Sequence, residues 1–209
     1  MKMKWFMFVL LAITCLAFVP CWAFADVTIE EGASGIPQSV VDDIVSDADG
    51  AHVTIHEWGV VEAAEPRIII GPIVTTGFRV TSKVKTEHQA IGKDEFIISV
   101  ARGMSISLTS SKTYKLDCSI SGTPSSAELG ITASISHTYT INVVWNGPGE
   151  NSPYNTRSYR IRFFEDRGTY EGYHTFMDGI LWDQKETGVW EEPVSYALYS
   201  IDSYIEPLE

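Results

Sequence analysis

Two stretches of the chain, residues 104–120 and 129–143, alternate between polar and apolar side chains with a period of two residues. In the first stretch every odd-numbered residue is polar, and seven of the nine even-numbered residues are apolar. In the second stretch the apolar side chains occupy odd-numbered positions, with His137 among them. Because successive side chains of a β-strand point to opposite faces, this period predicts strands that each have one apolar and one polar face.

The two stretches are 17 and 15 residues long, whereas most strands of globular proteins have ~5–6 residues. A turn-rich loop, residues 121–128, lies between them. Together they predict a long Ser/Thr-rich amphipathic hairpin. The alternative is a set of ordinary antiparallel strands with one solvated face, in which Ser110 and Lys112, which interrupt the apolar side, mark a break between two strands.

This pattern, a neutral Ser/Thr face opposite an apolar face, resembles the membrane-inserting hairpin of aerolysin-type β-pore-forming toxins. In a transmembrane barrel the polar face lines the lumen and the apolar face meets lipid. A spanning strand needs ~9–11 residues, and both stretches supply that number. The resemblance implies a membrane-facing side that comprises Met104, Ile106, Leu108, Ile131, Ile135 and Tyr139.

The rest of the chain predicts a mostly β fold. Residues 52–61 are β-branched and alternating, and several short strands are predicted between residues 159 and 205, separated by turn signals such as the Asp-Arg-Gly of 166–168. Only residues 35–50 have apolar side chains at helical spacing. We therefore predict an antiparallel β-sandwich, with a barrel as the alternative closure, and one short N-terminal helix.

Residues 1–25 have the layout of a secretory signal peptide. Lys2 and Lys4 form a positive start, a 15-residue apolar run follows, and Ala23-Phe24-Ala25 is a small-x-small cleavage site. The apolar run is shorter than the ~20 residues of a spanning helix. The sequence thus predicts a secreted, extracellular protein with a single β-rich domain over 26–209. Removal of the leader leaves Cys118 as the only cysteine, so no intrachain disulfide is possible. Exported proteins without a disulfide are common among bacteria, which favours a bacterial source.

The charge balance bears on partners. With 15 Lys+Arg against 27 Asp+Glu, the formal net charge is −12. An acidic chain without a basic run repels phosphate backbones, so no nucleic-acid partner is expected.

Acidic residues around the predicted helix are the metal candidates, namely Asp42, Asp43, Asp47 and Asp49. The segment lacks the carboxylates that an EF-hand loop has at its first and last positions, so no cofactor is predicted. An irregular calcium site is the alternative. His52 and His56 share a face of a predicted strand, but about 13 Å apart, which is too far for one zinc ion. They predict no shared metal.

No nucleophile motif or phosphate-binding loop occurs in the chain. Aromatic side chains of the C-terminal half are the candidate ligand-binding residues, by stacking on sugars; these are Trp182, Trp190, Tyr170 and Tyr173. Core packing is their alternative role. Carboxylates at 165–166, 178, 183 and 186 are numerous enough to supply a glycosidase pair, but no motif singles out two of them.

From these patterns we predict a secreted, non-enzymatic binding or surface-interaction protein with an extracellular ligand or cell surface as partner. The alternatives are a β-pore-forming or membrane-active protein that uses the 104–143 hairpin, and a carbohydrate-active enzyme. Outside that hairpin the chain resembles small secreted β-rich proteins of Gram-positive bacteria without assigned function. The sequence identifies neither the ligand nor the oligomeric state.

Overall fold

The computed structural model describes residues 26–48, 51–61, 77–175 and 184–204. The signal peptide predicted at 1–25 lies outside the described residues, as do Asp49 and Trp182. The strands in chain order are β1 (Val27–Ile29), β2 (His52–Val60), β3 (Gly77–Ala101), β4 (Ser105–Ser107), β5 (Lys112–Asp117), β6 (Ser119–Ile120), β7 (Ser134–Tyr139), β8 (Val144–Asn146), β9 (Thr156–Thr175) and β10 (Lys185–Ser203). The helices are α1 (Gln38–Ser46) and α2 (Ser126–Leu129), with a 3-10 turn at Glu31–Ala33. The prediction of a mostly β protein is confirmed.

The main sheet is open and mixed. Its strands follow the order β1-β2-β10-β9-β3, and β6 pairs separately with β10. β1 is parallel to β2, and the other pairs are antiparallel. Strands β3, β9 and β10 of this sheet are 25, 20 and 19 residues long. For the described residues, the prediction of several short strands between 159 and 205 was therefore wrong.

The Asp-Arg-Gly sequence at 166–168 lies inside β9 and is not a turn. A Cβ atom on Gly168 would lie 2.1 Å from the backbone oxygen of Val84 and 2.5 Å from the Trp190 ring. The glycine therefore permits a close approach of two strands and a ring, a role that the sequence pattern does not distinguish from a turn.

β3 forms one edge of the main sheet and is irregular. Its pairing with β9 shifts register five times. Gln89 has a φ of +54°, which few non-glycine residues adopt. The buried carboxylate of Asp166 stabilises the backbone at residues 88 and 89. It accepts a hydrogen bond from the Gln89 backbone N–H at 3.0 Å and lies 2.6 Å from His88 Nδ1.

The two alternating stretches do not form one uninterrupted hairpin. They pair in two short antiparallel ladders, β4 with β8 and β5 with β7, in the same relative register. Residues 108–111 and 140–143 lie between the ladders and belong to neither; we call them the ladder gap. The gap includes Ser110 and adjoins Lys112, and both are exposed because burial of these polar side chains on the apolar face would cost free energy.

The second stretch also begins later than predicted. Leu129 ends α2, whose start is fixed by a capping box between Ser125 and Glu128. Gly130 follows with a φ of +61°, a left-handed conformation that ends the helix. Strand β7 starts only at Ser134.

The β5–β7 ladder has one buried and one exposed face, whereas all three residues of β4 are exposed. Leu108, Tyr114 and Ile135 share a buried cluster with Ile161 and Phe163 of β9. The opposite face is polar, and Thr113 Oγ1 lies 2.8 Å from Thr138 Oγ1 on it. Among the residues assigned to a membrane-facing side, Leu108, Ile131, Ile135 and Tyr139 are buried, whereas Met104 and Ile106 are exposed. Within the described ranges, the helices are too short or too polar to cross a membrane.

The predicted N-terminal helix is confirmed, with shorter bounds. Pro37 is the N-cap rather than the first helical residue, and the helix ends at Ser46. Val40, Val41 and Ile44 are buried together with Val53 and Ile55 of β2. The apolar stripe thus packs α1 on the main sheet.

Candidate functional site

A cleft of ≈ 500 Å³ lies between the main sheet and the β7–β8 part of the chain. Volumes of 300–1,000 Å³ are usual for small-molecule sites, so the cleft has a suitable size. Its lining residues come from four places in the chain: Glu30; His56 and Glu57 of β2; 137–140 and 143–146 around the ladder gap; and Arg157, Tyr159 and Leu198 of β9 and β10.

Aromatic rings form one wall of the cleft. Trp145 makes edge contacts with Tyr139 and Tyr159, at centroid separations of 5.2 and 4.7 Å. The His137 ring lies 4.4 Å from the Tyr139 ring, and the His56 ring lies 5.4 Å from that of Tyr159. Tyr139, Trp145 and Tyr159 are only 5, 3 and 6% exposed, so the wall borders the cleft without offering free ring faces.

A β-bulge brings His56 and Glu57 to the same cleft. Leu198 pairs with Glu57 and Tyr199 pairs with Ile55, which leaves His56 as the extra residue of β2. An extra residue reverses the alternation of faces beyond it. Glu57 therefore lies on the side of His56, and Trp58 packs instead on the α1 side with Ile55.

Glu57 belongs to a chain of three polar side chains. Tyr196 Oη donates a hydrogen bond to Glu57 Oε1 at 2.6 Å, and His137 Nδ1 lies 2.9 Å from Tyr196 Oη. Since the Tyr196 proton is used towards Glu57, His137 Nδ1–H is the donor in the second bond. Burial raises the pKa of Tyr196, and the bond to Glu57 raises it further, so the phenol keeps its proton.

Ser200, His56 and Glu30 have the relative distances of a hydrolase triad. His56 Nε2 lies 2.8 Å from Ser200 Oγ, and His56 Nδ1 lies 3.0 Å from Glu30 Oε2. Ser200, however, is 1% exposed and sits on β10, which is paired on both sides. A nucleophile must reach a substrate, and this hydroxyl is covered by its neighbours. The arrangement fixes the orientation and tautomer of His56 in the cleft wall.

Two polar atoms of the aromatic wall are unpaired. Tyr139 Oη and Trp145 Nε1 are buried and have no hydrogen-bond partner among the described residues. A buried polar group without a partner costs about 1–3 kcal/mol and calls for an explanation. Burial raises the pKa of Tyr139, so its hydroxyl remains both a donor and an acceptor.

Positive charge in the cleft is neutralised. Arg157 donates from Nε to Asp202 Oδ1 at 2.6 Å and from Nη2 to Oδ2 at 2.8 Å. The hydrogen bonds to Asp202 raise the pKa of Arg157, although burial opposes them. Glu30 and Glu57 then leave the cleft with an excess of negative charge.

A second, smaller cavity of ≈ 410 Å³ lies beside a buried ion network. Asp94 accepts hydrogen bonds from Arg160 Nε, from Arg162 and from Tyr199 Oη. Arg162 also bonds to Asp47 Oδ2 at 2.5 Å, which ties the end of α1 to the sheet. The charged side chains of this network pair with one another, so the role of the network is to stabilise the fold.

The residues predicted for calcium are not gathered into a site. Asp42 accepts a hydrogen bond from Gln38 at 2.8 Å, Asp47 pairs with Arg162, and Asp49 lies outside the described residues. Over the described part of the chain, no group of three or more His, Cys, Asp or Glu side chains could hold a metal ion. Calcium binding stays an untested prediction.

The predicted sugar-stacking residues lie away from the cleft. Trp190 and Tyr170 are each 1% exposed and pack with Leu129 and Ile131, so neither offers a free ring face. Tyr173 is partly exposed, and Trp182 lies outside the described residues. The aromatic wall was missed because Tyr159 of β9 and His56 of β2 join Tyr139 and Trp145 only through tertiary packing. His137 on the apolar side of its strand was the one available signal.

The carboxylate of Glu186 lies next to Tyr170 and accepts several hydrogen bonds. Its oxygens accept from the Thr123 hydroxyl and from the Thr123 backbone N–H, both at 2.7 Å, and one lies 2.6 Å from His174 Nε2. The bonds from Thr123 outweigh burial and, with those from His174 and Tyr170, lower the pKa of Glu186 to about 2.

Replacement of Glu186 by glutamine is therefore expected to reduce stability in a pH-dependent way. A carboxylate with a depressed pKa stabilises the fold above its ordinary value of 4.5, and this contribution disappears as pH falls to about 2. Urea unfolding of both proteins at several pH values measures the difference. It should be largest at neutral pH and shrink between pH 4.5 and 2; a difference that does not change with pH would contradict the assignment.

No family model, curated protein or solved structure matches this chain.

Proposed function

We propose that this chain is a secreted, non-enzymatic binding protein whose ligand occupies the cleft between the main sheet and the β7–β8 part of the chain. The observation that carries the proposal is the pair of buried, unpartnered polar atoms on Tyr139 and Trp145 in the cleft wall. Native proteins rarely leave such groups unpaired, and a bound ligand supplies partners.

The state of the other polar groups favours binding over catalysis. Glu57 is engaged by Tyr196, and His56 is held between Glu30 and Ser200. The hydroxyl of Ser200, which lies at triad-like distances from His56 and Glu30, is inaccessible, and the Thr54 hydroxyl beside His52 is buried as well. Fixed, satisfied side chains around a cavity suit recognition of a ligand.

We further propose that ladders β4–β8 and β5–β7 form a second layer on the main sheet, as in an antiparallel β-sandwich. The shared cluster of Leu108, Tyr114 and Ile135 with Ile161 and Phe163 supports this arrangement. The cleft then lies at the margin between two layers, a common position for ligand sites.

The binding function is tested by saturation-transfer difference NMR with neutral sugars, amino acids and small carboxylic acids as probes. At least one probe is expected to bind, and His137→Ala is expected to weaken it at least tenfold, about 1.4 kcal/mol, because the variant removes a ring from the wall. Ser136→Ala is the matched control, since Ser136 is an exposed residue of the same strand and does not line the cleft. Binding by no probe, or equal binding by both variants, would refute the proposal.

The alternative function is membrane activity of the 104–143 segment. The exposed side chains of Met104 and Ile106 favour it. It requires Leu108, Ile135 and Tyr139 to leave the core, which costs the free energy of their burial. Dye release from liposomes, together with a shift to large oligomers on lipid addition, would support this alternative against the binding function.

A further inference from the structure

The unpaired atoms in the cleft wall specify what a ligand must carry. Trp145 is 3% exposed and its indole N–H can only donate, so its partner must be an acceptor. Tyr139 is 5% exposed and its hydroxyl can donate and accept. A ligand that satisfies both therefore carries oxygen atoms with lone pairs.

The charges in the cleft further narrow the chemical class of the ligand. Glu57 accepts from Tyr196 and Glu30 contacts His56, but each carboxylate has lone pairs left for further donors, whereas the charge of Arg157 is already used by Asp202. An anionic ligand would meet carboxylates in a chain of net charge −12. An ammonium group would suit the carboxylates but has no acceptor for Trp145. A hydroxyl group meets both requirements, since it donates to a carboxylate and accepts from an indole.

The ladder gap provides the means of access. Tyr139 is the last residue of β7 and Trp145 the middle residue of β8, so both side chains flank residues 140–143, which no ladder ties to the opposite strand. Both unpaired atoms are covered in this structure. Contact with a ligand therefore requires a movement that uncovers them, and residues 140–143 can shift without breaking either ladder.

From these observations we infer that the cleft binds a neutral saccharide, whose hydroxyl groups pair with Trp145 Nε1, Tyr139 Oη and the carboxylates of Glu30 and Glu57. This inference rests on the proposed binding function and assigns its ligand class. It places recognition at residues other than Trp182, Trp190, Tyr170 and Tyr173, the candidates from the sequence.

Tyr139→Phe tests the inference, because it removes the unpaired hydroxyl and keeps the ring. The variant is expected to bind at least tenfold more weakly while the melting temperature of the free protein stays the same or rises. Ser195→Ala is the matched control, since Ser195 Oγ is also buried and unpaired among the described residues but does not line the cleft. It should match Tyr139→Phe in stability and match wild type in binding. Trp145→Phe is the second binding variant.

The probes for calorimetry are methyl glycosides of glucose, galactose, mannose and xylose with their disaccharides, glucuronic acid as the anionic analogue, and glucosamine as the cationic one. At least one neutral probe should bind more than tenfold tighter than its charged analogue. If only charged probes or non-sugars bind, and cleft variants weaken them, the saccharide assignment fails while the binding function stands. If nothing binds, both fail. A fall in melting temperature for Tyr139→Phe would show that its hydroxyl has a structural partner and would also overturn the inference.

Discussion

Asp94→Ala is expected to lower the free energy of unfolding by about 3–5 kcal/mol, because it removes the carboxylate that pairs with both Arg160 and the buried Arg162 and leaves Arg162 with only the more exposed Asp47. Asp94 accepts from Arg160 Nε at 2.8 Å, from Arg162 Nη2 at 2.6 Å and from Tyr199 Oη at 2.5 Å. Arg162 is only 3% exposed, so water cannot replace the lost carboxylate. Burial alone would raise the pKa of Asp94, but the bonds from Tyr199 and Arg162 outweigh it and hold the pKa below its ordinary value.

Urea unfolding measures this effect, with Asp42→Ala as the control. Asp42 is exposed and bonds only to Gln38 on its own helix, so its removal should change stability by no more than about 0.5 kcal/mol. Asp94→Asn, which keeps an acceptor oxygen, should fall between the two. If Asp94→Ala costs no more than Asp42→Ala, then the network does not stabilise the junction of α1 and the sheet.

Trp190→Ala is expected to cost a similar amount, about 3–5 kcal/mol, through loss of packing and creation of a cavity. The ring is 1% exposed, packs with Leu129 and Ile131, and donates from Nε1 to the Thr169 carbonyl at 3.2 Å. Lys83 Nζ lies 4.5 Å from the ring centroid on one face. The near-ultraviolet circular dichroism and the urea midpoint should both change.

Val189→Ala is the neighbouring control. Val189 is exposed, so its truncation should alter stability by no more than about 0.5 kcal/mol. A Trp190→Ala protein that unfolds at the wild-type urea concentration would show that the ring is not part of the core. Because a destabilised variant also loses any ligand, reduced binding by Trp190→Ala is not evidence for a site at this residue.

The sequence predicts which face of the paired stretches is buried. Tyr114 and Ile135 point to the core and Thr113 and Thr138 point to solvent, as their two-residue period requires. This succeeds because alternation is a local property of extended backbone. Ser110 and Lys112, the two polar interruptions, also lie at the position where pairing stops.

Strand length is less predictable from local sequence. The Asp-Arg-Gly of 166–168 has turn chemistry, yet Gly168 is in β9 because Val84 and the Trp190 ring approach it from other strands. Tertiary contacts of this kind override local preference. Within the described residues, the separate strands predicted between 159 and 205 are parts of β9 and β10.

The cleft itself could not be predicted. Its members come from Glu30, residues 56–57, the ladder gap and β9–β10, and the bulge at His56 decides that Glu57 faces it. Nothing in the local sequence of β2 indicates an extra residue. Only His137, a polar residue on the otherwise apolar side of its strand, indicates that this face is unusual.

The irregular pairing of β3 has a consequence for the behaviour of the protein in concentrated solution. An edge of 25 residues is a potential template for intermolecular assembly into fibrils. Here no run of more than four consecutive residues keeps a constant register with β9. A strand from another molecule would meet the same breaks on the free edge, so it could not propagate a long, flat cross-β contact.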